Sequence, residues 1–166
     1  VSVELESFPG VLELAERFPQ IFASVGVHPD SHTESGEPGV EELLALADHP
    51  RIVAIGETGL DYYRHTGELG YQHRRFRTHI AAAVESGKPL IIHTRDAAAD
   101  TIRLMREEGA GRVGGVMHCF VEDWATAEAA MDMGFYISFS GIVTFKNATT
   151  LQAVARRVPL ERLLVE

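Results

Sequence analysis

A single cysteine, Cys119, is the only thiol among the 166 residues. One thiol cannot close an intrachain disulfide or build a cysteine-rich zinc module, so a reducing, cytoplasmic setting is expected. No apolar run approaches the roughly 18 residues that cross a bilayer, and no basic-then-apolar leader opens the chain, so no membrane association is expected. Basic residues are also short, with 15 Lys and Arg against 24 Asp and Glu and a net charge of −9. That balance excludes a module that coats nucleic acid by bulk electrostatics. It leaves room for an enzyme whose phosphate-facing charge comes from bound metal ions. No P-loop, GxSxG or HExxH is found. A glycine-rich phosphate loop of the doubly wound nucleotide-binding kind is not expected either.

The composition that is there, 45% hydrophobic and 23% charged, belongs to a folded chain. Strand-like runs at Val1–Val3, Ile21–Val27, Arg51–Gly56, Leu90–His93, Gly114–His118, Phe135–Phe139 and Leu163–Val165 alternate with helical stripes. One stripe carries Val11, Leu14, Ala15 and Phe18 behind an N-cap at Ser7; another carries Phe76, Ile80, Ala83 and Val84 and ends at Gly87. Ser31–Gly39 is the turn-rich loop. Such alternation predicts an α/β fold of parallel βαβ units in one domain spanning 1–166. A doubly wound sheet and a (β/α)8 barrel both fit the spacing. A complete barrel takes typically about 250 residues, so a barrel here would be incomplete. The chain begins at Val1 rather than Met and stops at Glu166 directly after an apolar run, and neither end reads as a natural terminus.

The residues of chemical interest close the strand-like runs. His28 follows IFASVGV, Glu57 follows RIVAIG, His93 closes PLII, and His118 closes GGVM. In parallel α/β folds that rim of the sheet binds ligands, and His, Glu, His and His delivered to one rim is a metal-site pattern. Imidazole with carboxylate suits Zn, Mn, Fe or Mg, and a carboxylate can bridge two ions. A lone histidine at a strand end is more often a satisfied core or loop residue; the shared position is what raises this set. Glu57 is costly to bury unpartnered, and a salt bridge to an arginine is its bland alternative.

Arg95 either holds a phosphate bidentately or pairs with Asp61 or Glu57 as support. Asp96 reads as a helix N-cap. Tyr62 and Tyr63 either line the cleft or pack within their loop. Cys119 reads as a small buried hydrophobe. His32, His49, His65, His73 and His79 read as surface, Trp124 and Met131 as core, and Glu41–Glu42 and Glu107–Glu108 as solvated helix ends.

These segments resemble the TatD family of metal-dependent hydrolases. The resemblance is carried by VGVHPD (25–30), AIGETGLDYYR (54–64), PLIIHTRDAAAD (89–100), MHCF (117–120) and SFSGIVTFKNA (138–148), followed by VPLERLLVE (158–166). It implies a TIM barrel present from about its second strand to its eighth, a divalent metal site and deoxyribonuclease activity. Glu57 then matches the shared carboxylate ligand and also acts catalytically, and His93 and His118 match two histidine ligands. His28 matches a motif histidine beside the site that is not usually counted as a ligand; His28 and Arg95 are expected to face substrate. The resemblance further implies two divalent cations per complete site, Mg, Zn or Mn, and DNA as the partner, with no stable protein partner. The family's HxH pair occurs nowhere in these 166 residues, and its Glu-Thr-Asp acid ligand is reached only as far as Glu166. Two alternatives stand beside the deoxyribonuclease: a non-catalytic partial barrel, and an amidohydrolase-type enzyme acting on another ester or an amide.

Overall fold

The computed structural model describes residues 1–32, 36–63, 67 and 69–166. His65, part of the Ser31–Gly39 loop and the last residue of AIGETGLDYYR, Arg64, lie outside them. Six strands form one parallel sheet in chain order: β1 (Ala23–Val25), β2 (Ile52–Asp61), β3 (Leu90–Arg95), β4 (Gly115–Met117), β5 (Phe135–Phe139) and β6 (Leu163–Val165). Five helices separate them: α2 (Val40–Ala47), α3 (Gly70–Ser86), α4 (Ala98–Glu107), α5 (Trp124–Asp132) and α6 (Thr149–Arg157). The first helix, α1 (Phe8–Arg17), precedes β1. Every neighbouring pair of strands is parallel, and the order never reverses. That is the wall of a (β/α) barrel, not a doubly wound sheet. Among the described residues no ladder joins β6 back to β1, so the wall is open, an incomplete barrel.

The helix stripes bury one face of the wall. Ala15, Leu43, Phe76, Ile80, Leu104, Met105, Ala127 and Leu151 from the helices meet Val25, Ile55, Leu90, Ile92, Met117 and Ile137 from the strands in one apolar core. On the other face Ile91, Val116 and Tyr136 stand side by side in register. Trp124 and Met131 pack against the core while staying partly exposed.

Several expectations shift. Val1–Val3 forms no ladder strand. Instead Ser2 is buried, and its carbonyl accepts the Glu57 N–H at 2.8 Å while the Val3 carbonyl accepts the His28 N–H at 2.8 Å. Ser7 does precede α1, but its hydroxyl donates to the Glu4 carbonyl and caps nothing. Asp96 is not the N-cap of α4: Ala97 holds that place, and Asp96 has φ +53°. Residues 109–114 spell GxGxxG, yet they run from the end of α4 into β4. A phosphate loop runs from strand into helix, so this one serves as a turn.

The main departure is β2, which continues past Gly56 to Asp61. Glycine and aspartate argue against a strand by propensity, but close approach to β3 requires the glycines. A Cβ built on Gly59, at φ +140°, would lie 1.9 Å from the His93 carbonyl oxygen. Only glycine fits there.

Candidate metal centre

Strand alternation sends Glu57, Gly59 and Asp61 to the same side of β2. His93 of β3 lies in register with Gly59, so its ring sits between two carboxylates. His93 Nδ1 is 3.2 Å from Glu57 Oε1, and Nε2 is 2.9 Å from Asp61 Oδ2. His118, just past β4, faces the other Glu57 oxygen, with Nε2 3.7 Å from Oε2. Its Nδ1 meets Glu166 Oε2 at 2.8 Å. His28, three residues past β1, brings Nε2 to 3.9 Å from Glu57 Oε1, and its ring stands edge-on to His93 at 4.3 Å.

The three rim histidines named from the sequence therefore meet on the fourth rim residue, the Glu57 carboxylate. A cation bonded to nitrogen and oxygen at about 2.0–2.2 Å needs donors roughly 3–4 Å apart, and these separations match. One donor atom each from His28, Glu57 and His93 lies within 4.8 Å of the others. The residues present therefore fit a divalent cation, with hard carboxylate and borderline imidazole donors.

Two acids that the sequence reading did not single out for the site complete it. Asp61 and Glu166 each bond the far nitrogen of a histidine whose near nitrogen faces Glu57. Such a carboxylate fixes the tautomer and the ring plane of a metal-facing imidazole. Glu166 is itself held: its Oε1 accepts the Cys119 N–H at 2.7 Å and the Ser138 hydroxyl at 2.8 Å. Cys119 is half-buried with φ +44°, and its Sγ lies 3.1 Å from Ser140 Oγ, so it is a corner residue and not a buried hydrophobe.

The electrostatics follow the same geometry. Burial would raise the Glu57 pKa, but the His93 hydrogen bond and the charges of His118 and His28 outweigh it and hold the carboxyl below its usual range. Burial would lower the His93 pKa, yet its bonds to Glu57 and Asp61 keep it raised. Burial and the neighbouring His93 charge lower that of His28.

Helix α3 holds the rim from outside through three polar residues on one face. Gln72 accepts the Asp61 N–H at 2.9 Å and donates to the Asp61 carbonyl at 3.0 Å. Arg75, only 3% exposed, donates to the carbonyls of His28, Pro29 and Ser31 and grips Glu37 through two bonds of 2.7 and 2.6 Å. His79 is not a surface residue: it is fully buried, Nε2 accepts the Val27 N–H at 3.0 Å, and Nδ1 lies 2.8 Å from the Arg75 carbonyl.

Arg95 pairs with neither Asp61 nor Glu57. Its guanidinium lies over the Tyr63 ring, 3.6 Å from the centroid. Tyr62 packs in a network of its own: its hydroxyl donates to Asp100 at 2.9 Å and lies 2.6 Å from His73 Nε2. His49 pairs with Glu16, and Glu107 and Glu108 pair with Arg77, so those helix ends are not merely solvated.

An open (β/α) barrel wall with a His/Glu cluster at its C-terminal rim defines the class. The TatD related DNase family model matches residues 1–166, and the chain belongs to that family. It is 49% identical over 164 residues to YcfH, an uncharacterized metal-dependent hydrolase of Escherichia coli K12, covering 96% of this chain and 61% of that protein. A protein of Edwardsiella piscicida named 3'-5' ssDNA/RNA exonuclease TatD is 34% identical over 157 residues, covering 93% and 60% respectively. The crystal structure of the TatD homologue YJJV from Escherichia coli K12 superposes with a TM-score of 0.88 at 27% identity, across 99% of this chain and 64% of that one. The chain thus spans about three-fifths of the length of these relatives. No helix among the described residues is long and apolar enough to cross a membrane.

Proposed function

We propose that residues 1–166 act as one unit carrying the metal centre of a hydrolase that cleaves phosphodiester bonds, with DNA as substrate. The observation that carries this reading is the convergence of His28, His93 and His118 on the two oxygens of Glu57 at 3.9, 3.2 and 3.7 Å. Glu57, His93 and His118 hold the cation, and the position of His28 adds a further donor. A divalent cation at this place supplies Lewis-acid charge to anionic oxygens and makes water a stronger acid. The chain's own residues supply the rest. Glu57, held ionised by three imidazoles, gives two acceptor oxygens and no proton. Asp61 and Glu166 keep His93 and His118 turned toward it. Arg95, with no carboxylate partner among the described residues, is placed to receive a phosphate oxygen.

The test is metal titration followed by hydrolysis of a fluorescent single-stranded DNA. Saturable binding of Mn2+ or Zn2+ and EDTA-sensitive nucleotide release are expected, both lost in Glu57→Gln. Unchanged metal affinity in Glu57→Gln would sink the assignment. The Edwardsiella relative's name, 3'-5' ssDNA/RNA exonuclease, favours a nucleic acid over other esters and amides as substrate. A loaded protein that cleaves simple esters or amides but not DNA would reverse that choice.

A further inference from the structure

We propose that Tyr63 and Arg95 form a platform for a nucleobase and its phosphate at the mouth of the metal centre. The inference rests on the phosphodiester reading and deepens it: the substrate is a strand whose base beside the reacting phosphate is unpaired and free to stack.

The placement comes from the sheet. Asp61 and Arg95 are register partners at the ends of β2 and β3, so Tyr63 and Arg95 leave the wall side by side. Each stands two residues beyond Asp61 or His93 of the centre. The guanidinium Cζ lies over the ring, 3.6 Å from its centroid, within stacking distance. Tyr63 keeps 51% of its surface exposed, and Arg95 is exposed too. The backbone beneath them is fixed, because the Tyr63 N–H donates to Asp61 Oδ1 at 3.0 Å and the Tyr62 N–H donates to the Arg95 carbonyl at 2.9 Å. The carboxylate that orients His93 thus also positions the platform.

The chemistry of the pair selects its ligand. A guanidinium stacked through its face leaves its N–H donors along the edge, where a phosphate takes two at once. The adjacent Asp61 carboxylate does not pair with Arg95; its Oδ2 meets His93 and its Oδ1 accepts the Tyr63 N–H. Bases stack on tyrosine rings and on arginine planes alike. With a net charge of −9 over these 166 residues, their overall charge offers a polyanion no long-range attraction. Recognition by these residues is then local, through one cationic edge and one stack beside the metal-facing cluster.

The experiment measures binding in EDTA at low salt, which removes hydrolysis from the readout. Fluorescence anisotropy compares a labelled oligothymidylate with the same strand made abasic. The wild type is expected to prefer the base-bearing strand. Tyr63→Ala should weaken that strand about 10-fold, within the range of one base–aromatic stack, and leave the abasic strand unchanged. Tyr63→Phe should bind as the wild type does. Arg95→Gln should weaken both strands alike and reduce the salt slope by about one phosphate contact. Equal binding of the two strands by the wild type, binding of neither, or equal weakening of both by Tyr63→Ala overturns the platform. Base-selective binding without metal-dependent hydrolysis removes the phosphodiester reading and keeps the platform. Hydrolysis without base selectivity does the reverse.

Discussion

Acid should unfold this protein in part through His79. Its two ring nitrogens are committed, Nε2 as acceptor for the Val27 N–H and Nδ1–H as donor to the Arg75 carbonyl, so the folded state holds it neutral. Burial, the larger cause, and the nearby Arg75 charge lower its pKa from 6.5 to about 4. Unfolded, the ring protonates at its ordinary value. Between those two values the unfolded chain binds a proton that the folded chain refuses, so stability rises with pH across that window. It is complete above pH 6.5 and falls as pH drops toward 4. The gap corresponds to about 3 kcal/mol in all, and to a slope of about 1.4 kcal/mol per pH unit near the middle. That is a large part of the 5–15 kcal/mol typical of a domain. Urea unfolding from pH 7.5 to 4.5 measures it, and His79→Gln serves as the control. Glutamine can make both backbone bonds without titrating. The variant's curve should separate from the wild type's at pH 7 and approach it as pH falls, because only the wild type carries the His79 slope. Parallel losses in the two proteins between pH 6.5 and 5 would show that His79 is not held neutral, and the reasoning would be wrong.

Gly59→Ala drives a methyl group to 1.9 Å from the His93 carbonyl at a φ of +140°, and should cost at least about 3 kcal/mol by thermal or urea unfolding. Arg75→Met frees three rim carbonyls and Glu37; a loss of about 2–4 kcal/mol is expected by denaturation, and a loss under 1 would show that the cluster is slack. Asp61→Asn leaves the first ring of donors intact but loosens His93, so metal affinity by calorimetric titration should fall roughly 10- to 100-fold with little change in unfolding midpoint.

Most of the wall was legible because its cues are local. Alternating apolar runs and 3.6-residue stripes marked six strands and six helices, and the strand ends pointed to His28, Glu57, His93 and His118. What escaped depends on contacts distant in sequence. GETGLD reads as loop because glycine and aspartate disfavour strands; packing of Gly59 on His93 overrides that preference. A polar residue on a helix pattern reads as solvent-facing, and nothing near His79 announces that the Val27 amide, 52 residues away, will satisfy it. Glu166 reaches His118 only because β5 and β6 pair in register. The sequence leaves Arg95 between two readings, and only its pairing with Asp61 or Glu57 is excluded, because the guanidinium lies over the Tyr63 ring instead. Val1–Val3 has the composition of a strand and makes only isolated backbone hydrogen bonds, to Glu57 within β2 and to His28 beyond β1.

The Gln72–Arg75–His79 face of α3 has a consequence for how the rim comes apart. The amides of Val27 and Asp61 and the carbonyls of His28, Pro29 and Ser31 all terminate on that one helix. A local opening that detaches α3 therefore releases two strand ends together, while the ladder between β3, β4 and β5 stays closed. The metal-facing residues and the outer helix thus belong to one cooperative unit, with a shared opening free energy that amide exchange at positions 27 and 61 would report.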